Sequence, residues 1–158
     1  GLLLPSDFVG RPGRAFVAYD ITAITDVTLC CFRRQAFEEL LARTPHIADR
    51  LLEMTLDELD AARAWMLLLG RKTAREKIAS LLVLLLKRSE TSDAIANASS
   101  HRVDLPISRE AIADYVGLTI ETVSRQFTAL RKTGVIELDG KRGVIIPDLA
   151  ALEAMGGT

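Results

Sequence analysis

Glu121, Ser124 and Arg125 are the residues of this sequence whose chemistry best suits the edges of nucleobases. A glutamate can accept a hydrogen bond from cytosine N4, and an arginine can donate two to guanine O6 and N7. Glu121 and Arg125 are four positions apart, so a helix would place them on one face. The alternative interpretation of that spacing is a surface ion pair, which stabilises a helix by only about 0.2–0.5 kcal/mol.

The three residues lie in a stretch, Ile107–Phe127, whose pattern predicts two short helices joined by a sharp turn. Gly117 stands where the first helix must stop, a position that commonly needs a positive φ. Thr119 follows as a candidate N-cap of the second helix. The core side of that second helix is predicted to carry Ile120, Val123 and Phe127. Two helices joined by a glycine turn are typical of the helix-turn-helix motif.

After Gly134 the sequence changes to the period of β-strands. The dipeptide Asp139-Gly140 separates two apolar segments, which predicts a β-hairpin, and a hairpin directly after a helix-turn-helix is a wing. Contacts with phosphate would position a protein on DNA without specifying sequence. The candidates for such contacts are Thr119, Thr122, Arg131, Lys132, Lys141 and Arg142. For each basic side chain, an ordinary solvated surface is the alternative.

A long helix is predicted from Pro45 to Leu69, because apolar and small residues alternate four and three positions apart. A seam of this kind is typical of a helix that pairs with a second copy of itself. The seam consists of Leu52, Thr55, Leu59, Ala62, Met66 and Leu69. The alternative is an amphipathic helix packed on its own domain. A second apolar edge, at Leu51, Met54, Leu56 and Trp65, favours a helix that contacts both its own domain and a partner.

Residues 16–23 and 27–32 are rich in strand-forming residues and predict two β-strands. Because an isolated hairpin is marginal in water, we expect them to be the tail of a larger antiparallel β-domain that begins before Gly1. The polar stretch from Ser89 to Arg102 predicts a loop.

Composition limits the possible functions of the 158 residues. The net charge of −1 gives no global basic field, so a protein that binds DNA would need a local basic face. The apolar runs are too short to span a bilayer, which argues against a membrane partner. Adjacent cysteines, Cys30 and Cys31, suit a reducing cytoplasm better than a disulfide framework. The sequence contains no nucleophile–base pair, P-loop or metal-ligand spacing, so nothing in it suggests an enzyme.

From Cys30 to Leu152 the sequence resembles the cyclic-AMP receptor/FNR (CRP/FNR) superfamily of bacterial transcription regulators. The nine residues from Gly117 to Arg125, Gly-Leu-Thr-Ile-Glu-Thr-Val-Ser-Arg, are similar to the FNR and FixK branch. The resemblance implies an α+β fold with three parts: the end of an antiparallel jelly-roll sensor domain (1–44), a dimerisation helix (45–70) and a winged helix-turn-helix DNA-binding domain (71–158).

The same resemblance implies a cytoplasmic homodimer that binds palindromic double-stranded DNA with TTGAT-like half-sites and then contacts RNA polymerase. Arg125 would contact guanine, Glu121 the opposite cytosine, and Ser124 a thymine methyl or a neighbouring base edge. Gln126 departs from the family pattern, which usually has an apolar residue there, and this affects local packing rather than the DNA contacts.

Cys30 matches the internal cysteine that, in oxygen-sensing FNR proteins, joins three N-terminal cysteines around a [4Fe–4S] cluster. The resemblance therefore implies a cluster in the intact protein, with Cys30 as its fourth ligand. The other three cysteines are not in this sequence, so these residues alone are not expected to hold it. Two alternatives stay open. One is a FixK-like regulator without a cluster. The other is a regulator gated by a small ligand, although residues 4–14 do not reproduce the cyclic-nucleotide phosphate cassette. For the two cysteines themselves, the alternative to ligation is that Cys30 and Cys31 are simply buried small residues of a strand.

Overall fold

The structure is a computed structural model that describes Leu3 and residues 7–16, 18–92, 101–140 and 142–157, with the backbone alone for 88–92. Within these residues six helices and three strands follow one another. They are α1 (Arg34–Arg43), α2 (Pro45–Arg71), α3 (Ala74–Ser92), β1 (His101–Asp104), α4 (Arg109–Val116), α5 (Ile120–Lys132), β2 (Glu137–Asp139), β3 (Gly143–Ile146) and α6 (Leu149–Gly156). The chain divides into two compact units, one of them Ser6–Ala64 and the other built mainly from Trp65 onward.

The core of the C-terminal unit is built around α3. Its residues Ile78, Leu81 and Leu82 have no exposed surface, and the helix packs against α5, α6 and β1. The three strands form an antiparallel sheet in the order β1-β3-β2. Val103 on β1 pairs with Val144 on β3, and both side chains are buried. Helices and a small sheet together enclose one apolar core, which gives the α+β fold expected from the sequence.

The predicted helix-turn-helix is confirmed in α4 and α5. Ser108 caps α4, its Oγ accepting a hydrogen bond from the Ala111 N–H at 3.1 Å. Gly117 ends α4 in the left-handed conformation, at φ 64° and ψ 49°, and the Leu118 N–H then donates to the Ala113 carbonyl at 2.9 Å. Thr119 caps α5, its Oγ1 accepting from the Thr122 N–H at 3.2 Å. The backbone groups that each helix end would otherwise leave unpaired are thus satisfied locally.

The end of α4 is also tied to α3 by a buried lysine. The Nζ of Lys77 donates to the Val116 carbonyl at 3.2 Å, although the residue is only 9% exposed. A cation at this position also complements the negative end of the α4 dipole. The turn that follows Val116 is therefore anchored to the core.

The unit Ser6–Ala64 contains α1, most of α2 and the irregular segment before them. Aromatic side chains hold it together: the rings of Phe8 and Phe37 stack with centroids 5.4 Å apart, and Phe32 lies 5.9 Å from Phe37. An apolar cavity of about 260 Å³ lies beside this cluster, lined by residues such as Ile47, Leu51 and Met54.

The prediction of two strands before α1 is wrong for the described residues. Residues 18–33 form no strand, and their apolar side chains are largely exposed, as is Phe16 at 87%. A strand is stable only when a neighbouring strand pairs with its backbone. No segment of the described chain pairs with this one. High strand propensity alone therefore does not produce a strand here.

Three smaller predictions also need correction. The segment from Ser89 to Arg102 is predicted to be a loop, but α3 continues to Ser92 and β1 begins at His101. The strand forms because pairing with β3 overrides the polar composition. Residues 93–100 lie outside the described residues. Gly70 does not end the long helix, which continues to Arg71. Ile120, predicted to face the core, is 44% exposed, since it is the first residue of α5 and lies beyond the packed turns.

We predict that Gly117→Ala lowers the free energy of unfolding of the C-terminal unit by about 1–2 kcal/mol, because an L side chain is strained at this positive φ. A Cβ at Gly117 would meet no atom within 4 Å, so the loss would come from backbone strain alone. The measurement is urea denaturation followed by the fluorescence of Trp65, the single tryptophan.

Gly70→Ala is the matched control, since a Cβ there also meets nothing within 4 Å but Gly70 is helical. This change should leave stability unchanged or raise it by up to about 1 kcal/mol. Equal effects of the two substitutions would contradict the assignment of Gly117 as a conformational requirement.

Candidate nucleic-acid interface

Helix α5 has one buried face and one exposed face. Val123, Phe127 and Leu130 are at most 2% exposed and belong to the core. Glu121, Ser124 and Arg125 are all exposed to solvent. The predicted inward positions of Val123 and Phe127 are thus confirmed. The structure leaves the three candidate base-contacting side chains accessible on the first turns of the helix, the part that enters a major groove in helix-turn-helix proteins.

The environment of Arg125 bears on the ion-pair alternative. Its Nη2 donates to Thr122 Oγ1 at 3.3 Å, and Thr122 Oγ1 also accepts from Thr119 Oγ1 at 3.1 Å. Among the ion pairs found in the described residues, within 4.0 Å, none joins Arg125 to Glu121. A guanidinium has five N–H donors, so the contact with Thr122 leaves most of them for another partner. The spacing of Glu121 and Arg125 is therefore not explained by a contact between them.

Arg109, the first residue of α4, contacts helix α5. Its guanidinium carbon lies 3.3 Å from the centroid of the Phe127 ring, a cation–π contact that holds the buried ring from above. Burial lowers the pKa of Arg109 from its ordinary value, but an arginine stays protonated. No local pattern in the sequence predicts this contact, because Arg109 lies on α4 and Phe127 on α5.

The candidates for phosphate contacts surround α5. Arg131 and Lys132 are exposed in its last turn, where positive charge also complements the helix dipole. Thr119 is exposed and Thr122 half-buried, and both take part in the N-terminal cap. Arg142 is exposed on the wing, and its carbonyl accepts from the Leu105 N–H at 2.9 Å. Lys141 lies outside the described residues. These assignments stay predictions.

The wing itself is the hairpin of β2 and β3. Gly140 occupies the turn with φ 66°, as the Asp-Gly dipeptide predicted. Arg102 on β1 forms an ion pair with Asp139 on β2, with Nη1 and Oδ2 2.7 Å apart. Gly143 on β3 pairs with Asp139, and a Cβ at Gly143 would approach the Asp139 carbonyl oxygen to 2.5 Å. A glycine is therefore required for the close approach of the two strands.

All six residues of the predicted seam on α2 are exposed. Met66 is 65% exposed and Leu52 58%, which is unusual for large apolar side chains on a regular helix. Residues of the second apolar edge differ: Leu51, Met54 and Trp65 are half-buried, whereas Leu56 is exposed. The two edges predicted for this helix are thus present, and the seam lies on the open one.

Cys30 and Cys31 are both free and exposed, so the interpretation of buried small residues is wrong for the described chain. No group of three or more histidine, cysteine, aspartate or glutamate side chains suited to a metal ion occurs in the described residues. Iron–sulfur clusters are held by several cysteine thiolates. The described residues do not by themselves supply a full set of ligands.

Within the described parts of the chain, no helix combines the length and hydropathy that crossing a bilayer would require.

Helix α5 is capped and has an open polar face. It follows the shorter helix α4 after a left-handed glycine, and it precedes the antiparallel hairpin of β2 and β3. Together these elements define a winged helix-turn-helix protein.

Comparisons with known proteins refine this class. Residues 76–155 match the family profile of the Crp-like helix-turn-helix domain. The chain therefore belongs to the CRP/FNR family of transcription regulators.

Among its relatives is the transcriptional activator protein FnrL of Cereibacter sphaeroides, which is 64% identical over 96% of this chain and 61% of its own length. The nitrogen fixation regulation protein FixK of Bradyrhizobium diazoefficiens is 41% identical, over 98% of this chain and 63% of its own. The solved structure of FixK2 from Bradyrhizobium japonicum superposes with a TM-score of 0.66 at 36% identity, covering 77% of this chain and 58% of that one. The chain thus spans about three fifths of the length of the relatives it matches.

Proposed function

We propose that this chain is the DNA-binding and dimerising part of an FNR-type transcription regulator. The observation that carries the proposal is the polarity of α5, which buries Val123 and Phe127 and exposes Glu121, Ser124 and Arg125. The names of the relatives, a transcriptional activator and a regulator of nitrogen fixation, support it. Bound to DNA, the protein would act on transcription through contact with RNA polymerase.

The mechanism of recognition follows from the exposed side chains. In a TTGAT-like half-site, the Arg125 guanidinium donates two hydrogen bonds to guanine, and the Glu121 carboxylate accepts one from the paired cytosine N4. Ser124 lies between them on the helix and contacts a thymine methyl or a neighbouring base edge. The hydrogen bond from Arg125 to Thr122 holds the guanidinium on this face before DNA binds.

Affinity that does not depend on sequence would come from the basic side chains around α5. The chain as a whole has a net charge of −1, so attraction to phosphate must be local. Arg131, Lys132 and Arg142 are exposed and supply that positive charge. Each phosphate contact releases counterions, so binding should weaken as salt concentration rises.

We predict that Arg125→Ala weakens binding to a TTGAT palindrome by about 1–3 kcal/mol and removes the preference for guanine in each half-site. The measurement is fluorescence anisotropy with the palindrome and with a duplex in which the half-site guanine is replaced. Lys132→Ala is the matched control, because loss of a phosphate contact should weaken binding to both duplexes about equally. If Arg125→Ala also weakened both duplexes equally, direct contact with the base would be excluded.

The exposed seam on α2 supports a homodimer. Two copies joined along Leu52, Leu59 and Met66 would bury apolar surface that the single chain leaves in solvent. A two-fold dimer would present two recognition helices to half-sites about 34–36 Å apart, as palindromic DNA requires. Thr55 and Ala62 are small or polar seam residues, which suits a dimer of moderate strength.

Met66→Asp is expected to raise the dimer dissociation constant at least about tenfold, because it would bury an unpaired carboxylate in the seam. Sedimentation velocity over a range of protein concentrations measures this constant. Leu67→Asp is the control, since Leu67 is next to Met66 and also exposed, at 53%, but lies off the seam. The seam would be wrong if Leu67→Asp dissociated the dimer and Met66→Asp did not.

We infer further that Cys30 is the fourth thiolate ligand of a [4Fe–4S] cluster in the intact protein, which would then respond to oxygen. The match of Cys30 to the internal cysteine of oxygen-sensing FNR proteins and the similarity to FnrL support this assignment. When bound, such a cluster reacts with oxygen. Its presence would favour the dimer, and a few kcal/mol at the seam would be enough to shift the population strongly. The FixK-like alternative has no cluster and stays open, because FixK is also a relative.

The two alternatives differ in the iron content of the full-length protein prepared without oxygen. We predict about four iron atoms per chain in the unmodified protein and a large loss of iron and acid-labile sulfide in Cys30→Ser. Cys31→Ser is the matched control, an exposed neighbouring thiol whose loss should leave the iron content unchanged. Unmodified protein without iron would favour the FixK-like regulator, and loss of iron in Cys31→Ser alone would move the ligand to Cys31.

A further inference from the structure

An aromatic pair joins the last turns of α2 to the helix-turn-helix. The rings of Trp65 and Tyr115 stack with their centroids 4.1 Å apart and their planes at 28°. Both side chains are half-buried and pack against the core of the C-terminal unit. A stacked pair is directional, because ring contact is lost when either helix rotates or slides.

The last two turns of α2 carry neighbouring side chains with different surroundings. Trp65 is half-buried and Leu68 is 5% exposed, so these two side chains belong to the C-terminal unit. Met66 and Leu69 are 65% and 40% exposed and belong to the proposed seam. One short stretch of helix therefore carries both the end of the dimer seam and the side chain that stacks on α4.

The position of Tyr115 is fixed relative to the recognition helix α5. It lies in the last turn of α4, next to the buried Val116 and two positions before the Gly117 turn. The hydrogen bond from the Leu118 N–H to the Ala113 carbonyl closes that turn, and Lys77 anchors the Val116 carbonyl to α3. A change in the position of Tyr115 relative to α2 would consequently change the direction of α5.

The connection from α2 to α3 is short, and the Nζ of Lys72 ties it to Ser80 Oγ at 2.8 Å and to the Gly156 carbonyl. The residues Lys72 and Thr73 alone separate the two helices, and the last turn of α2 contains Gly70, which lowers the stiffness of a helix end. Leu68 is buried, but an aliphatic contact has no preferred ring geometry. The Lys72 contacts hold this connection to α3 and α6, whereas the stack joins α2 directly to α4 and so bears on the orientation of those two helices.

We propose that Trp65 and Tyr115 are positioning residues: their stack sets the angle between the dimer helix and the recognition helix, and so determines which spacing of half-sites the dimer accepts. This inference depends on the proposed function as a DNA-binding dimer. A single half-site does not test the angle between two recognition helices, so the stack should matter for the palindrome and not for one half-site.

The test compares the affinity of the 158-residue chain and its variants for three kinds of duplex. These are a palindrome with half-site centres about one DNA turn apart, palindromes with one or two base pairs added or removed, and a single TTGAT half-site. The variants are Trp65→Leu, which removes the stack, and Trp65→Phe, which keeps an aromatic ring. Leu67→Ala is the control, an exposed position on the same helix.

Trp65→Leu should weaken binding to the best-spaced palindrome about tenfold, flatten the dependence on spacing, and change half-site binding by less than about twofold. Trp65→Phe should restore the preference for one spacing, and Leu67→Ala should behave like the unmodified chain. Tyr115→Leu must reproduce the effect of Trp65→Leu, and it replaces that variant if circular dichroism shows that Trp65→Leu does not fold.

A spacing profile unchanged in folded Trp65→Leu, or in folded Tyr115→Leu, would overturn the proposal while leaving DNA binding intact. Equal losses on the palindrome and the half-site would overturn it too, since they would assign the stack a general role in stability. If the unmodified chain showed no preference for TTGAT over other sequences, the proposed function itself would fail, and the positioning role would fail with it.

Discussion

The structure depends on the reversal of the chain at Gly117. Helices α4 and α5 can share one core only if the backbone turns sharply between them, and the left-handed conformation at φ 64° makes this turn. The buried faces of the two helices then meet, with Ile112 and Val116 on one side and Val123 and Phe127 on the other. The caps at Ser108 and Thr119 satisfy the helix ends locally, while the apolar faces of both helices are buried in the core around α3.

That turn also decides which side chains reach solvent. Once Val123 and Phe127 are buried, the helical period requires Glu121, Ser124 and Arg125 to lie outward. The cation–π contact of Arg109 with the Phe127 ring stabilises this arrangement. The apolar anchors therefore orient the polar face, and the candidate interface results from core packing as much as from its own residues.

The long helix α2 also has one partly buried edge and one exposed edge. One edge of α2 is at least partly buried at Leu51, Met54 and Trp65, while the seam on the other edge is exposed along its length. The heptad spacing of the exposed seam supports the proposed pairing with a second copy of this chain.

The sequence by itself determined the local elements: the glycine turn, the cap at Thr119, the long helix, the wing with its Asp-Gly turn, and the outward face of α5. These features depend on residues close together in the chain, whose spacing is visible without a structure. Prediction from the sequence failed where an element depends on residues that are distant in the chain. Strand propensity in residues 18–33 produced no strand without a pairing segment, and polar His101 and Arg102 became a strand because β3 lies beside them. Likewise, only the tertiary structure brought Arg109 to Phe127 and Trp65 to Tyr115, since packing between helices is decided by the fold of the whole unit and not by local periodicity.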